Sequence, residues 1–226
     1  MRDIPPGPAY SFFLALLLAL FLSCSGDVPR ISQTDWMVVH TDDRDLGIRR
    51  EEISLYVLAE DPDGNEDLKK LSLSNEKEEY IWSFERDTWN SRPSGNALWI
   101  GQNRIIPNGD RFSDGNYRIT LEDGAGRTAT TDIYLAQNRL KTDQISFPDV
   151  SMSGSTLIVN GNYPQYMIWL YDEGGNLLHS RYIRNGRYAL GELMEGKPEQ
   201  PASCWLFIFI EEKYTGIKTG PFYFVR

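Results

Sequence analysis

The sequence predicts an all-β body, two β-sandwich domains in tandem behind an N-terminal export segment, and three observations predict it. Apolar residues recur at every second position through much of the chain, the period that puts one edge of a pleated strand on one side. Turn punctuation is dense and chemically uniform: Asp63-Gly64, Asn108-Gly109, Asp114-Gly115, Asp123-Gly124, Asn160-Gly161 and Asn185-Gly186. Glycine takes positive φ without a Cβ clash and Asn or Asp tolerates it, so such pairs suit tight reversals between strands. Helical spacing is not sustained for three turns anywhere after the first two dozen residues.

In chain order, residues 1–23 read as a signal peptide and 24–28 as a tether, with Arg2 near the start and an apolar run from Phe12 to Leu22. A spanning helix needs roughly 20 apolar residues, and Ser23, Cys24, Ser25, Gly26 and Asp27 cut the run short. The body that follows is large enough for two small β domains. In the first, residues 29–136, Ile53, Leu55, Val57 and Ala59 alternate with polar neighbours. Tyr117, Ile119 and Leu121 do the same, and Ala129, Thr131, Ile133 and Leu135 return after Asp123-Gly124-Ala125-Gly126, which reads as a hairpin. Residues 137–144 carry Asn138, Arg139, Lys141 and Asp143 without strand pattern and read as a polar linker.

The second domain, residues 145–226, offers strands near 156–160, 166–171, 177–183, 205–211 and 217–225. Its one helical piece, Leu190 to Glu195, is stopped by Gly196 and Pro198. Two of its strands, Met167-Ile168-Trp169-Leu170-Tyr171 and Trp205-Leu206-Phe207-Ile208-Phe209-Ile210, do not alternate. A strand apolar on both faces needs cover on both, so either the loop from Glu192 to Pro201 covers the outer face or a partner does.

Phe21-Leu22-Ser23-Cys24 resembles the lipobox of bacterial lipoproteins. The resemblance implies that Cys24 is acylated and becomes the N-terminus of a lipid-anchored protein; an ordinary secretory cleavage near Ser25 is the alternative. Several acyl chains give the stable anchoring that one cannot. Ser25 resembles the signals that send lipoproteins to an outer membrane, which implies an envelope location with the facing side open. Cys204 is then the single remaining cysteine and reads as an inert buried thiol. The net charge of −9 is unchanged when Arg2 and Asp3 leave, and it repels phosphate backbones, so nucleic acid is not an expected partner.

Val57-Leu58-Ala59-Glu60-Asp61-Pro62-Asp63-Gly64 and Asp114-Gly115-Asn116-Tyr117-Arg118-Ile119-Thr120-Leu121-Glu122-Asp123-Gly124 resemble segments of the immunoglobulin-like modules, PKD-type and cadherin-like relatives included, of bacterial envelope proteins. The resemblance covers roughly residues 28–136 and implies an immunoglobulin-like sandwich there, with a second sandwich behind it. It also implies that Tyr117 is either a corner tyrosine tied to the backbone upstream or a plain core residue.

Chemistry-bearing candidates are few. Asp61, Asp63, Asp67 and Asp123 would converge if the two loops that carry them share one end of the sandwich, offering hard oxygens to calcium, the one cofactor candidate; the alternative is a solvated turn. Only His40 and His179 exist, which excludes a histidine-rich zinc site within one chain, and no G-x-S-x-G elbow surrounds a serine. No enzymatic activity is expected. Trp89 stands in the polar run Arg86-Asp87-Thr88-Trp89-Asn90-Ser91-Arg92, flanked by Trp82 and Trp99, and reads either as a sugar-stacking platform or as a plug for the sandwich edge. The expected function is non-catalytic: a protein–protein interaction or structural module of the envelope, with a carbohydrate-binding module as the alternative.

Overall fold

The computed structural model describes residues 26–75, 77, 79–137, 139–197, 199–211 and 214–224; the lipidation site at Cys24 lies outside them. The body is all-β. Strands β1 (Arg30–Asp43), β2 (Ile48–Glu60), β3 (Leu68–Asn75), β4 (Tyr80–Glu85), β5 (Asn90–Ser94), β6 (Ala97–Ile105), β7 (Gly115–Asp123) and β8 (Thr128–Leu135) form the first half. Strands β9 (Asp149–Ser153), β10 (Thr156–Asn160), β11 (Tyr166–Tyr171), β12 (Leu177–Ile183), β13 (Gly186–Ala189), β14 (Ser203–Ile210) and β15 (Thr215–Tyr223) form the second. A single helical turn, α1 (Leu190–Leu193), follows β13.

Three sheets result. One long sheet runs β12-β11-β14-β15-β1-β2-β6-β5 through both halves, and two small sheets, β4-β3-β7-β8 and β13-β10-β9, pack against it. The first core lies between the long sheet and the four-stranded one, with Leu55, Val57, Ile100, Leu71, Leu73, Ile119 and Leu121 fully buried. The second joins Ile168, Leu170, Leu206 and Ile217 to Leu157 and Val159 of the three-stranded sheet. Both small sheets sit on the same face of the long one, because Val38 of the first core and Ile217 of the second lie in alternating register across the β1–β15 pair.

That pair runs parallel, from Val38 opposite Thr215 to Asp43 opposite Gly220, and it fuses the halves. Residues 137–144 connect the halves with Gln137, Lys141, Asp143 and Gln144 exposed, and two of their side chains reach back to the body. Arg139 bonds Asp114, the Phe112 carbonyl and, at 3.3 Å, Glu51, while Thr142 Oγ1 lies 3.0 Å from His40 Nδ1. Arg139 and Thr142 thus tie the polar connector to Glu51 and His40 of the first two strands.

Tyr117 begins β7 fully buried and its hydroxyl donates to the Ser113 carbonyl at 3.0 Å, tying the preceding loop to the sandwich. Tyr117→Phe is expected to cost about 1 kcal/mol, the usual net worth of such a bond, measured as a lower urea midpoint at unchanged slope.

Candidate functional site

Strand alternation turns half of each strand in the long sheet away from the small sheets, and among the described residues no element lies over that outer face. The loop after α1 does not cover it: Leu193 and Met194 are buried in the second core instead. Along β14, Cys204, Leu206 and Ile208 point into the core, whereas Trp205 and Phe207 are half-buried and Phe209 is exposed. On β11, Ile168 and Leu170 are buried while Met167, Trp169 and Tyr171 are half-buried. The two strands without alternation are therefore apolar on an uncovered side.

Here the outer face sinks into a groove of about 800 Å³. Trp169, Trp205 and Phe207 form one wall, Tyr171, Leu177 and Tyr223 one end, and Ser54, Asn103 and Arg104 the far side across the seam. Glycines seat two of the rings. A Cβ on Gly216 would stand 2.6 Å from Phe207 Cε2, and one on Gly220 would stand 2.8 Å from Trp205 Cδ2, so each ring rests on the neighbouring strand where any other residue would lift it. Trp169 stacks on Phe207 with centroids 5.1 Å apart and planes 19° apart.

Beneath the groove at the seam lies a charged cluster in which three cations, Arg50, Arg104 and Lys218, surround two carboxylates, Glu52 and Asp43. Glu52, fully buried, takes Lys218 Nζ at 2.9 Å, Arg50 Nε at 3.0 Å and Arg104 Nε at 3.2 Å, and accepts the Thr41 hydroxyl. Burial works against its ionisation, but Lys218 together with the hydrogen bonds of Arg50 and Thr41 outweighs it and holds the carboxyl below its ordinary range. Asp43 receives Arg104 at 3.1 Å and Arg50 at 3.3 Å, and Lys218 lies 5.2 Å from the Trp205 ring centre.

The structure brings Asp61, Asp67 and Asp123 together, one oxygen from each within 4.8 Å of the others, at the end of the first sandwich. The convergence expected from the sequence is real, but a cation is already there. Arg127 Nε bonds Asp123 at 2.6 Å, and its Nη2 lies 2.9 Å from Asp63 and 3.7 Å from Asp67. Burial would raise the Asp123 carboxyl, and the backbone and side-chain hydrogen bonds of Arg127 overcome it, holding the group below its usual range. Asp61 is raised instead, first by burial and then by repulsion from Asp63, Asp123 and Asp67, and its Oδ2 has no hydrogen-bond partner. The donor set fits a hard divalent ion only if the guanidinium moves. Arg127→Ala is therefore expected to lower the melting temperature in chelator and to recover on adding millimolar calcium, while the native chain shows no calcium response. Gly26, the first described residue, lies against Arg127 and Asp63 at this end.

The tryptophans divide. Trp89 is no exposed platform: it is only 9% exposed and belongs to the first core, because the Glu85–Trp89 turn, closed by Trp89 N–H to the Glu85 carbonyl at 3.2 Å, swings the ring inward. Trp82 is buried too, its Nε1 donating to the Ile106 carbonyl at 2.7 Å and its ring 5.3 Å from Phe112. Trp99 alone of the three lies on the outer face of the long sheet, half-buried beside Tyr56, Asn90 and Arg92. Trp169 and Trp205, the better-placed indoles, were signalled by the failed alternation of their strands. Burial, with Arg139 and Arg111 nearby, lowers His40 to about 4, and burial pushes the Cys204 thiol up to about 12.

No family model matches the chain, and no curated protein matches it in sequence. Among solved structures it is similar to Tp47, the 47-kilodalton lipoprotein of Treponema pallidum, with 12% identity and a TM-score of 0.39 over 85% of this chain and 50% of that one. The chain thus spans about half the length of that structure. No described helix is long and apolar enough to cross a membrane.

Proposed function

We propose that this is a lipid-anchored, non-catalytic lipoprotein of the bacterial envelope, outer membrane by its Ser25, that binds another envelope component on the outer face of its long sheet. The observation that carries the reading is that face itself: Trp169, Trp205, Phe207, Tyr171 and Tyr223 line a groove that nothing else among the described residues covers. Contiguous half-exposed aromatic surface of this kind marks interaction sites. The non-catalytic reading is supported by the state of two candidate groups: His40 is buried and tied to Thr142 with its pKa lowered to about 4, and Cys204 is buried with its thiol pushed up to about 12, so neither is set to act as base or nucleophile near neutral pH.

The reading includes two immunoglobulin-like units. The order β5-β6-β2-β1 facing β4-β3-β7-β8 is that of an immunoglobulin sandwich with both optional edge strands, and β13-β10-β9 facing β12-β11-β14-β15 fits the same scheme with fewer. The Tyr117–Ser113 bond supports a corner tyrosine.

The test is made on the native lipoprotein in its host. Labelled palmitate should enter the chain and Cys24→Ser should abolish both label and membrane retention. A photo-crosslinking side chain at Leu177 or Tyr223 should give a discrete adduct that the same group at Tyr134, equally exposed on β8, does not. Soluble, unlabelled protein, or equal adducts from both faces, would overturn the proposal.

A further inference from the structure

We infer that the ligand of the outer groove is a neutral saccharide chain, held on Trp169, Trp205 and Phe207 and laid across the strands; the inference rests on the binding role proposed above.

Four features point to that chemistry. The first is the seating of the rings. Gly216 and Gly220 remove the side chains that would otherwise stand between β15 and its neighbours, and Phe207 and Trp205 settle into those places. Trp169 and Phe207, stacked nearly parallel, cover one face of each other, and the outer faces of that stack together with Trp205 make the aromatic wall of the groove. Such a wall suits the CH faces of pyranose rings, which pack on aromatic surfaces while their hydroxyls reach outward. The second is charge. The groove's cations, Lys218 and Arg104, are held by Glu52 and Asp43 within the protein. With Asp45 at its end, the groove sets three carboxylates against Arg50, Arg104 and Lys218, so an anionic headgroup, phosphate or acidic peptide meets no net positive charge, whereas a neutral polyol needs none.

The third is the stock of hydrogen-bonding groups around that wall. Asp45 accepts from the Tyr223 hydroxyl at 2.7 Å, Ser54 donates weakly to Asn103 at 3.4 Å, and Ser203, Tyr171 and Asn103 lie along the same groove. Alcohol, amide and carboxylate in alternation match ligand hydroxyls, each of which both donates and accepts. The fourth is shape. Side chains from β12, β11, β14, β15, β1, β2 and β6 line the groove, a width of about 29 Å at the usual strand spacing. That footprint takes several linked rings, and the volume lies within the range of ordinary ligand sites. A peptide adding as a strand is disfavoured, since the backbone groups beneath the groove already belong to interior ladders of the sheet.

The test uses the detergent-solubilised full chain and intrinsic tryptophan fluorescence, titrated with neutral hexasaccharides of glucose, mannose, xylose and N-acetylglucosamine. At least one should bind saturably, with an affinity that changes little between 50 and 500 mM salt. Trp169→Ala and Trp205→Ala should each weaken it at least tenfold. Tyr223→Ala, at an exposed position that leaves folding intact, should weaken it severalfold, and Trp99→Ala should leave it unchanged. Silence across the four sugars, binding that survives both indole deletions, or binding abolished by salt would overturn the inference. A protein adduct at Leu177 or Tyr223 together with sugar silence overturns the saccharide while leaving the binding role intact; no adduct and no sugar removes both.

Discussion

Arg139→Ala is expected to destabilise the chain by about 3–5 kcal/mol, the cost of leaving a buried carboxylate without its partner. Glu51 is fully buried on the inner face of β2, facing the seam between the two small sheets. Its Oε2 receives Arg139 at 3.3 Å and the Phe112 amide at 3.2 Å, while Arg111 stands 3.9 Å from the other oxygen, which has no hydrogen-bond partner. Arg139 also ties Asp114 and the Phe112 carbonyl, so one side chain closes the seam from the first half while Thr142, three residues on, closes it through His40. The measurement is a urea denaturation curve, with a large drop in midpoint for Arg139→Ala. Arg139→Ala combined with Glu51→Gln should recover a substantial part, because the second change removes the stranded charge. A single change that costs less than about 1 kcal/mol, within the range of a surface ion pair, would show that solvent reaches Glu51 and that the halves are not locked there.

How much of this was legible in the sequence depends on how local the cause is. The strand pattern of Ile53, Leu55, Val57 and Ala59 and the hairpin around Asp123-Gly124 are local, and β2, β7 and β8 appear where the alternation puts them. Strands β10, β11 and β12 do so as well. By contrast β9 and β13, five and four residues long, are too short for a period-two signal to stand out, and Ser151, Ser153 and Arg187 blur it further. The parallel pairing of β1 with β15 joins residues far apart in sequence, so no window contains it. Arg139 read as linker polarity for the same reason: its partner Glu51 lies on the other side of the first domain.

The candidate site followed the same division. A fold-level argument brings the aspartates together, but nothing local marks Arg127, four residues past Asp123, as the cation they enclose. Trp89 misled because its neighbours are polar; they face water while the ring alone turns inward. The unalternating strands were the informative feature, since a buried-looking strand whose outer face stays open is a sequence-visible mark of a surface kept for something else.

The pH dependence of stability should carry the signature of His40. The ring is 1% exposed, accepts or donates to Thr142 according to tautomer, and faces Arg139 and Arg111, so burial first and the two guanidinium groups second lower it from 6.5 to about 4. A depressed histidine favours the neutral form in the folded state; the unfolded chain binds the proton first. Its contribution is present in full above pH 6.5, falls as pH drops between 6.5 and 4, and is absent below about 4. The shift corresponds to a change on the order of 3 kcal/mol at 1.36 kcal/mol per unit. His40→Gln keeps a hydrogen-bonding group toward Thr142 and removes the titration. The difference in urea midpoint between native chain and variant should therefore slope through that window and be flat above it. Carboxylates such as Glu52 lose their pairing at lower pH in both proteins and cancel in the difference. A difference curve without slope between pH 6.5 and 4 would mean that His40 protonates in the folded protein as readily as in the unfolded one, and that the seam admits charge and water.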